Sequence, residues 1–128
     1  MVFSAGCCFH GCTEAEEAEA QALLFGHTQA HKLALNNVIF ESDCSAVVTA
    51  VNDCNTNRAS WWACYVKVKE MFREFESCTV SKIYRECNVA AHELAAFARV
   101  NGDFCILADV PQGLMHVIDS ECNPAYVF

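Results

Sequence analysis

The first half of the chain combines helical spacing with short continuous apolar runs. Small residues recur every four positions, which predicts a helix over about 14–33 with a face that packs closely on a neighbouring element. These small residues are Ala18, Ala22, Gly26 and Ala30. The apolar run Val38-Ile39-Phe40 predicts a short buried strand over 38–42, and a brief helix follows over about 45–51.

The second half repeats this pattern. Ser60 precedes a predicted third helix with one apolar face. That face comprises Trp61, Tyr65, Val68, Phe72 and Phe75. A β-branched and aromatic segment predicts a strand over 79–86, and a helix follows over about 89–100. Strands bounded by helices indicate an α/β fold with short parallel strands flanked by helices.

Length, charge and composition narrow the class of protein. The 128 residues suit one domain, with a core over about 13–102 and a tail over 103–128 that packs on it. The formal charge of −8 excludes a strongly basic nucleic-acid module. No apolar run approaches the roughly 20 residues of a membrane span. The first residues lack the basic segment of a secretory signal, so we expect an intracellular protein that is not secreted and does not bind membranes.

Ten cysteines could suggest a disulfide scaffold or a zinc site. Their spacing argues against both, because there is no Cys-x-x-Cys pair. The one cluster is Cys7-Cys8-x-His10-x-Cys12, and a loop with small buried thiols is the favoured interpretation of it. We expect free, reduced thiols.

The candidate metal-binding residues lie near the ends of the predicted strands. Asp43 follows the strand over 38–42, and His92 lies in the first turn of the helix after the strand over 79–86. Parallel neighbours would bring these junctions together, and Glu19 could point into the same crevice. Carboxylates and an imidazole there would suit Mg²⁺ or Mn²⁺. The alternatives are a helix N-cap for Asp43, a solvated first-turn residue for Glu19 and a surface histidine for His92.

Four blocks of sequence resemble a known family in the same order and at the same separations. They are AEAQALLFG (18–26), FESDCSAVVTAVN (40–52), SWW (60–62) and IYRECNVAAHELAAFA (83–98). Together they resemble the ribonuclease H-like domain of plant retroelement-derived proteins, the reverse-transcriptase-associated type 1 group. The resemblance runs over about 15–115. It implies a ribonuclease H-like α/β fold and hydrolysis of RNA paired with DNA.

The resemblance also implies roles for the three candidate residues. Glu19 matches the helix glutamate of the family, a metal ligand that also contacts the 2′-hydroxyl beside the cut. Asp43 matches the strand-end aspartate that binds the catalytic metal. His92 matches the position of the last acidic residue, where the plant-type group commonly carries histidine. The implied cofactor is Mg²⁺ or Mn²⁺, with at most one site expected.

One departure from the family affects both fold and activity. The 128 residues contain no Asp-Gly-Ala-type motif, which the family carries on its first strand. The resemblance therefore implies an N-terminally truncated domain whose first strand is missing, with little or no nuclease activity. Loss of that strand would leave an exposed edge and apolar surface at Val38, Phe40 and nearby residues, which predicts self-association.

Basic residues are concentrated in one segment. They are Lys67, Lys69, Arg73, Lys82 and Arg85, and they form the candidate nucleic-acid-binding patch for an RNA/DNA hybrid bound with low affinity. Glu70, Glu74 and Glu76 are interleaved with them, which favours a solvated amphipathic face. The functional alternative to a hybrid ribonuclease is a non-catalytic nucleic-acid-binding or protein-interaction remnant of a retroelement.

Overall fold

A computed structural model describes residues 3–6, 8, 11–12, 14–52 and 62–107. The chain divides into two compact units, Phe9–Ile83 and a second that joins Met1–Cys8 to Tyr84–Phe128. We name the first the central unit and the second the terminal unit. Several predicted features lie outside the described residues, namely Cys7, His10, Ser60, Trp61 and the tail beyond 107. A single partial domain over 1–128 stays a prediction.

The described residues form short strands and four α-helices. In chain order these are β1 (Phe3–Gly6), α1 (Ala15–Lys32), β2 (Asn37–Ser42), α2 (Ser45–Asn52), α3 (Trp62–Phe72), β3 (Ser77–Lys82), a short 3₁₀ helix (Arg85–Cys87), α4 (Val89–Asn101) and β4 (Phe104–Leu107). The helices predicted over 14–33, 45–51 and 89–100 and the strand predicted over 38–42 are present within one residue of their expected bounds. The third predicted helix is also present, but it ends at Phe72, so Phe75 of its predicted face lies beyond it.

The central unit is built on a parallel strand pair. Strand β2 pairs with β3 in a register that runs from Asn37 opposite Ser77 to Ser42 opposite Lys82. Helices α1, α2 and α3 pack against these strands and one another. Parallel neighbours need a crossover connection, which the two helices between β2 and β3 supply. The predicted α/β class with short parallel strands flanked by helices is confirmed.

Strand β2 alternates between exposed and buried positions. Val38 and Phe40 point into the core, where the Phe40 ring stacks on Phe72 with centroids 5.7 Å apart. Ile39 between them is 71 % exposed. The expected apolar surface at Val38 and Phe40 is therefore wrong, because one face of the strand pair is covered by helices. Of the apolar side chains in β2, that of the nearby Ile39 is the one left in solvent.

Helix α1 buries a face that differs from the predicted one. Leu23, Gly26 and Ala30 are buried, whereas Ala22 is exposed. Its buried positions follow the i, i+3, i+4, i+7 spacing of a helix that packs with one side, which excludes Ala22. The helix ends in a Schellman motif, in which the Leu35 amide donates to the carbonyl of Ala30 at 3.1 Å. Ala34 adopts φ 54° in this motif, where glycine is usual.

Strand β3 begins and ends earlier than predicted. It spans Ser77–Lys82 rather than 79–86, and Tyr84 beyond it is 79 % exposed. The Ile83 amide donates to the carbonyl of Ser42, the last residue of β2. Strand β2 ends at Ser42, so the residues after Ile83 have no strand partner in β2. Residues 85–87 form a 3₁₀ helix instead.

The terminal unit contains an antiparallel strand pair and α4. Strand β1 pairs with β4 from Phe3 opposite Leu107 to Gly6 opposite Phe104. The sequence predicted only a packed tail from residue 103 onward, so β4 is an addition to the predicted elements. Phe97 of α4 meets Phe104 edge to face at 5.1 Å. The Cys8 amide donates to a carboxylate oxygen of Asp103 at 2.7 Å.

Candidate functional site

The turn that follows β2 carries Asp43 and is held by three hydrogen bonds. We name residues Ser42–Cys44 the strand-end turn. The Ser42 hydroxyl accepts from the Cys44 amide at 3.1 Å, and the Ser42 carbonyl accepts from the Ile83 amide at 3.0 Å. The Lys82 ammonium donates to the Asp43 carbonyl oxygen at 2.6 Å. The backbone on which the Asp43 side chain stands is therefore fixed from both strands.

The local sequence explains why the chain turns here. Ser42 is the last inward-facing residue of β2, and its hydroxyl satisfies the amide of Cys44, a donor that the strand ladder does not use. The Cys44 carbonyl then accepts from the amide of Val48 in the first turn of α2. At the other end of α2, the Asn52 side-chain amide donates to the Val80 carbonyl at 3.2 Å. Both ends of α2 are thus attached to the strand pair.

The parallel register brings the observed ends of β2 and β3 together. Ser42 and Lys82, the last residues of β2 and β3, stand opposite each other. Asp43 is half-buried directly after this point. Glu19 lies in the same central unit, half-buried in the second turn of α1 beside the buried Ala20. The central unit therefore contains both carboxylates that the sequence singled out.

His92 and Arg85 belong to the terminal unit. His92 is half-buried in the first turn of α4, and its amide donates to the Asn88 carbonyl at 3.2 Å. Arg85 is exposed at the start of the 3₁₀ helix. That His92 joins Glu19 and Asp43 in one site stays a prediction.

A metal site needs several donor atoms within reach of one ion. Carboxylate oxygens are the donors that Mg²⁺ prefers. Within the described ranges, however, no three His, Cys, Asp or Glu side chains group closely enough to hold a metal ion. The described residues therefore do not fit a pair of divalent ions, which bring four positive charges together. The single Mg²⁺ or Mn²⁺ site at Glu19 and Asp43 stays a prediction.

The basic residues of α3 are dispersed over its surface. Lys67 and Lys69 are two positions apart, so helix geometry turns them about 200° from each other. The Lys69 ammonium lies 5.0 Å from the centroid of the buried Tyr65 ring, within cation–π distance. Lys67 stands three positions before Glu70, the spacing of neighbours on a helix surface, and Arg73 lies just beyond the end of the helix. Helix α3 therefore presents mixed charge, while Lys82 stands apart at the strand-end turn.

A buried histidine is a feature that the sequence analysis missed. The His27 side chain is completely buried, and its Nε2 lies 2.7 Å from the Met71 carbonyl oxygen. Because a carbonyl only accepts, Nε2 carries the proton. Among the described residues Nδ1 has no hydrogen-bond partner. Burial lowers the pKa of His27, against smaller opposing effects of the Met71 carbonyl and the Glu74 carboxylate.

Aromatic and charged neighbours surround this histidine. The Phe75 ring lies 4.8 Å away and the His31 ring 6.5 Å away, centroid to centroid. His31 is itself 3.5 Å from a carboxylate oxygen of Glu74, and both are exposed. We name His27, Met71 and Phe75 the His27 cluster. The signal in the sequence is helical spacing, since position 27 is four residues after Leu23 and three before Ala30.

Among the described residues, the cysteines at positions 8, 12, 44, 64, 78 and 87 are not joined in disulfides. Burial raises the pKa of Cys78 to about 11, which keeps it protonated and unreactive at neutral pH. The Gln21 side-chain amide donates to the Cys64 sulfur at 2.9 Å. In the part of the chain that the structure describes, no helix has the length and apolar character needed to cross a membrane.

The chain is similar to known proteins both in sequence and in its arrangement of strands and helices. A family profile described as reverse transcriptase-like matches residues 1–98. The crystal structure of RNase H1 from the halophilic archaeon Halobacterium salinarum NRC-1 is similar to the chain, with a TM-score of 0.65 and 21 % sequence identity. That similarity covers 71 % of this chain and 70 % of the archaeal one. Curated proteins provide no match.

Proposed function

The chain belongs to the reverse transcriptase-like family and has a ribonuclease H-like fold. We propose that it binds RNA/DNA hybrids and cleaves them weakly or not at all. The observation that carries the proposal is the strand-end turn. It presents Asp43 where the carboxyl ends of β2 and β3 meet, the place where ligands collect in open α/β sheets. The similar archaeal protein is an RNase H1, which supports the choice of nucleic acid as ligand.

The proposal of weak cleavage rests on the count of acidic groups. Hydrolysis by two metal ions about 4 Å apart needs a set of anionic ligands that neutralises both ions. Glu19 and Asp43 supply two carboxylates, and His92 would add an imidazole, which brings no negative charge. The 128 residues contain no Asp-Gly-Ala-type motif that would add a third carboxylate. The candidates therefore suffice for one ion at most.

The charge of the chain limits how tightly a duplex is held. The net charge of −8 repels phosphates at long range, so binding depends on local cations and weakens as salt rises. Lys67, Lys69, Arg73, Lys82 and Arg85 remain the proposed contacts. Dispersed charges on α3 predict low affinity.

A cleavage and binding assay tests the proposal. The chain is incubated with a labelled RNA/DNA hybrid in Mg²⁺ or Mn²⁺, and intact and cut RNA are separated on a denaturing gel. We expect binding at low salt with little or no cutting. Robust cleavage that is lost in Asp43→Asn would overturn the weak-cleavage part, because it would show a working metal site. Absence of binding at low salt would overturn the whole proposal.

Self-association is the alternative from a different class of function. Its support is Ile39, an apolar side chain 71 % exposed on the outer face of β2. Size-exclusion chromatography of the chain and of Ile39→Lys distinguishes the two functions. A dimer that the substitution converts to a monomer favours association, whereas a monomer in both cases excludes this surface. Descent from a plant retroelement and an intracellular location stay predictions.

A further inference from the structure

The cation at the strand-end turn differs from the other basic residues of the central unit. The Lys82 ammonium is attached to the Asp43 carbonyl oxygen at 2.6 Å, which restricts an otherwise flexible four-carbon side chain. An ammonium has three N–H donors, and this bond uses one of them. On α3, by contrast, Lys69 lies over the Tyr65 ring and Lys67 stands beside Glu70. The Lys82 ammonium therefore has a fixed position where β2 and β3 end side by side.

The position of this cation bears on what the strand-end turn can bind. An ammonium held beside Asp43 offsets the carboxylate charge that would otherwise repel a phosphate. The same positive charge opposes a second cation at this position. Among the described side chains no group of three ligands is available to hold a metal ion against that repulsion.

We propose that Lys82 binds a backbone phosphate of an RNA/DNA hybrid at the strand-end turn, and that this contact needs no divalent cation. The inference rests on the proposed function, since it names how that site would hold the duplex. Lys82 is a binding residue in this account. The charge that a metal ion would supply at the strand ends comes from the chain itself.

Binding measured with and without metal tests the inference. Fluorescence anisotropy of a labelled hybrid is recorded in EDTA and in Mg²⁺, at several salt concentrations. We expect the same affinity in both buffers to within about twofold. Lys82→Met, which keeps the length and apolar stem of the side chain, should bind about five- to tenfold more weakly in EDTA. Its log–log salt slope should fall by about one, the signature of one lost phosphate contact.

Matched variants separate a lost charge from a disturbed fold. Lys32→Met removes an exposed lysine from the last turn of α1, outside the proposed contacts, and should change affinity by less than about twofold. Lys82→Arg keeps the positive charge and should retain most of the binding. If Lys82→Arg binds as weakly as Lys82→Met, the lysine acts through the local structure and the inference is overturned.

The remaining outcomes distinguish this inference from the proposed function. A hybrid that binds the wild-type chain and Lys82→Met equally well overturns the inference and leaves the proposed function standing. Binding that appears only in Mg²⁺ overturns metal independence in the same way. A wild-type chain that binds no hybrid in either buffer overturns both.

Discussion

The strand-end turn and the His27 cluster are two polar regions of the same unit with opposite surroundings. In the strand-end turn, the buried Ser42 and the half-buried Asp43 are fixed by hydrogen bonds, and the Lys82 charge remains at the surface. In the His27 cluster a titratable ring is enclosed completely, with one nitrogen bonded to Met71 and the other without a partner among the described residues. The first region can receive a charged ligand, whereas the second contributes to packing as long as it stays neutral.

The difference shows that a polar residue inside a fold is not by itself a site. Three separate hydrogen bonds hold the strand-end turn and leave its charges in contact with solvent, as binding requires. The His27 ring lies 4.8 Å from Phe75, so it behaves as an aromatic core residue with one obligatory hydrogen bond. Function and stability can therefore be separated by substitution within this unit.

The largest effect should follow removal of the buried ring. His27→Ala deletes a completely buried side chain and the bond to Met71, and we expect a loss of about 2–4 kcal/mol in the free energy of unfolding. His31→Ala is the matched control, because that ring is 65 % exposed, and should change stability by less than about 0.5 kcal/mol. Urea denaturation measures both. Equal losses in the two variants would remove the distinction between the regions.

Acid should destabilise the protein through the same residue. The folded pKa of His27 lies below its ordinary 6.5 because of burial, so the unfolded chain binds a proton first as pH falls. The contribution of His27 is complete above about pH 6.5 and is lost below it, by at most about 1.4 kcal/mol per pH unit. Exposed Glu74 and His31 face the same ring and partly offset each other.

Urea denaturation at pH 7.5 and pH 5.5 measures this effect. His27→Gln should reduce the pH dependence, and His31→Ala should retain it. A wild-type stability that does not fall between these pH values would contradict a neutral buried ring.

The strand-end turn should respond more weakly to loss of its hydroxyl. Ser42→Ala removes the acceptor for the Cys44 amide, and we expect a loss of about 1 kcal/mol in stability. Because this bond also fixes Asp43, hybrid binding should weaken in the same variant. Ser45→Ala, an exposed position at the start of α2, is the control. A loss of stability with unchanged binding would show that the turn serves the fold alone.

The smallest predicted effect is a gain in stability at the end of α1. Ala34 has φ 54°, a conformation that glycine adopts without steric cost. Ala34→Gly should raise the free energy of unfolding by about 0.5–1 kcal/mol, measured by thermal and urea denaturation. Leu35→Gly, one position further along, should lower it. A destabilised Ala34→Gly variant would contradict the Schellman geometry.

The parallel core could be predicted because its residues follow a simple pattern. In β2 the buried Val38 and Phe40 are inward-facing residues of a strand that ends in polar residues, so both the strand and the position of Asp43 could be read from the sequence. The sequence predicts the start of β3 two residues too late and its end four residues too late, because Val80 is its one buried side chain. The aromatic Tyr84 is typical of a strand, so the sequence extends the predicted strand over a segment that is exposed in the structure.

Other features depend on contacts that no local pattern reveals. Strand β4 consists of four residues whose pairing with β1 is set by a segment about 100 positions away. His27 was overlooked because a histidine on a helix is usually solvated, and its burial depends on Phe75 and Met71 from another part of the chain. The interaction of Lys82 with Asp43 likewise requires the strand register, which brings positions 42 and 82 together.

The same register has a consequence for how the chain folds. Strands β2 and β3 meet only after the chain between them closes a loop of about 40 residues, and long-range parallel pairing forms more slowly than structure built from local contacts. Helices α1 and α3 can begin to form from local contacts before that closure. We therefore expect the strand-end turn to be among the last parts of the central unit to become ordered in a refolding experiment.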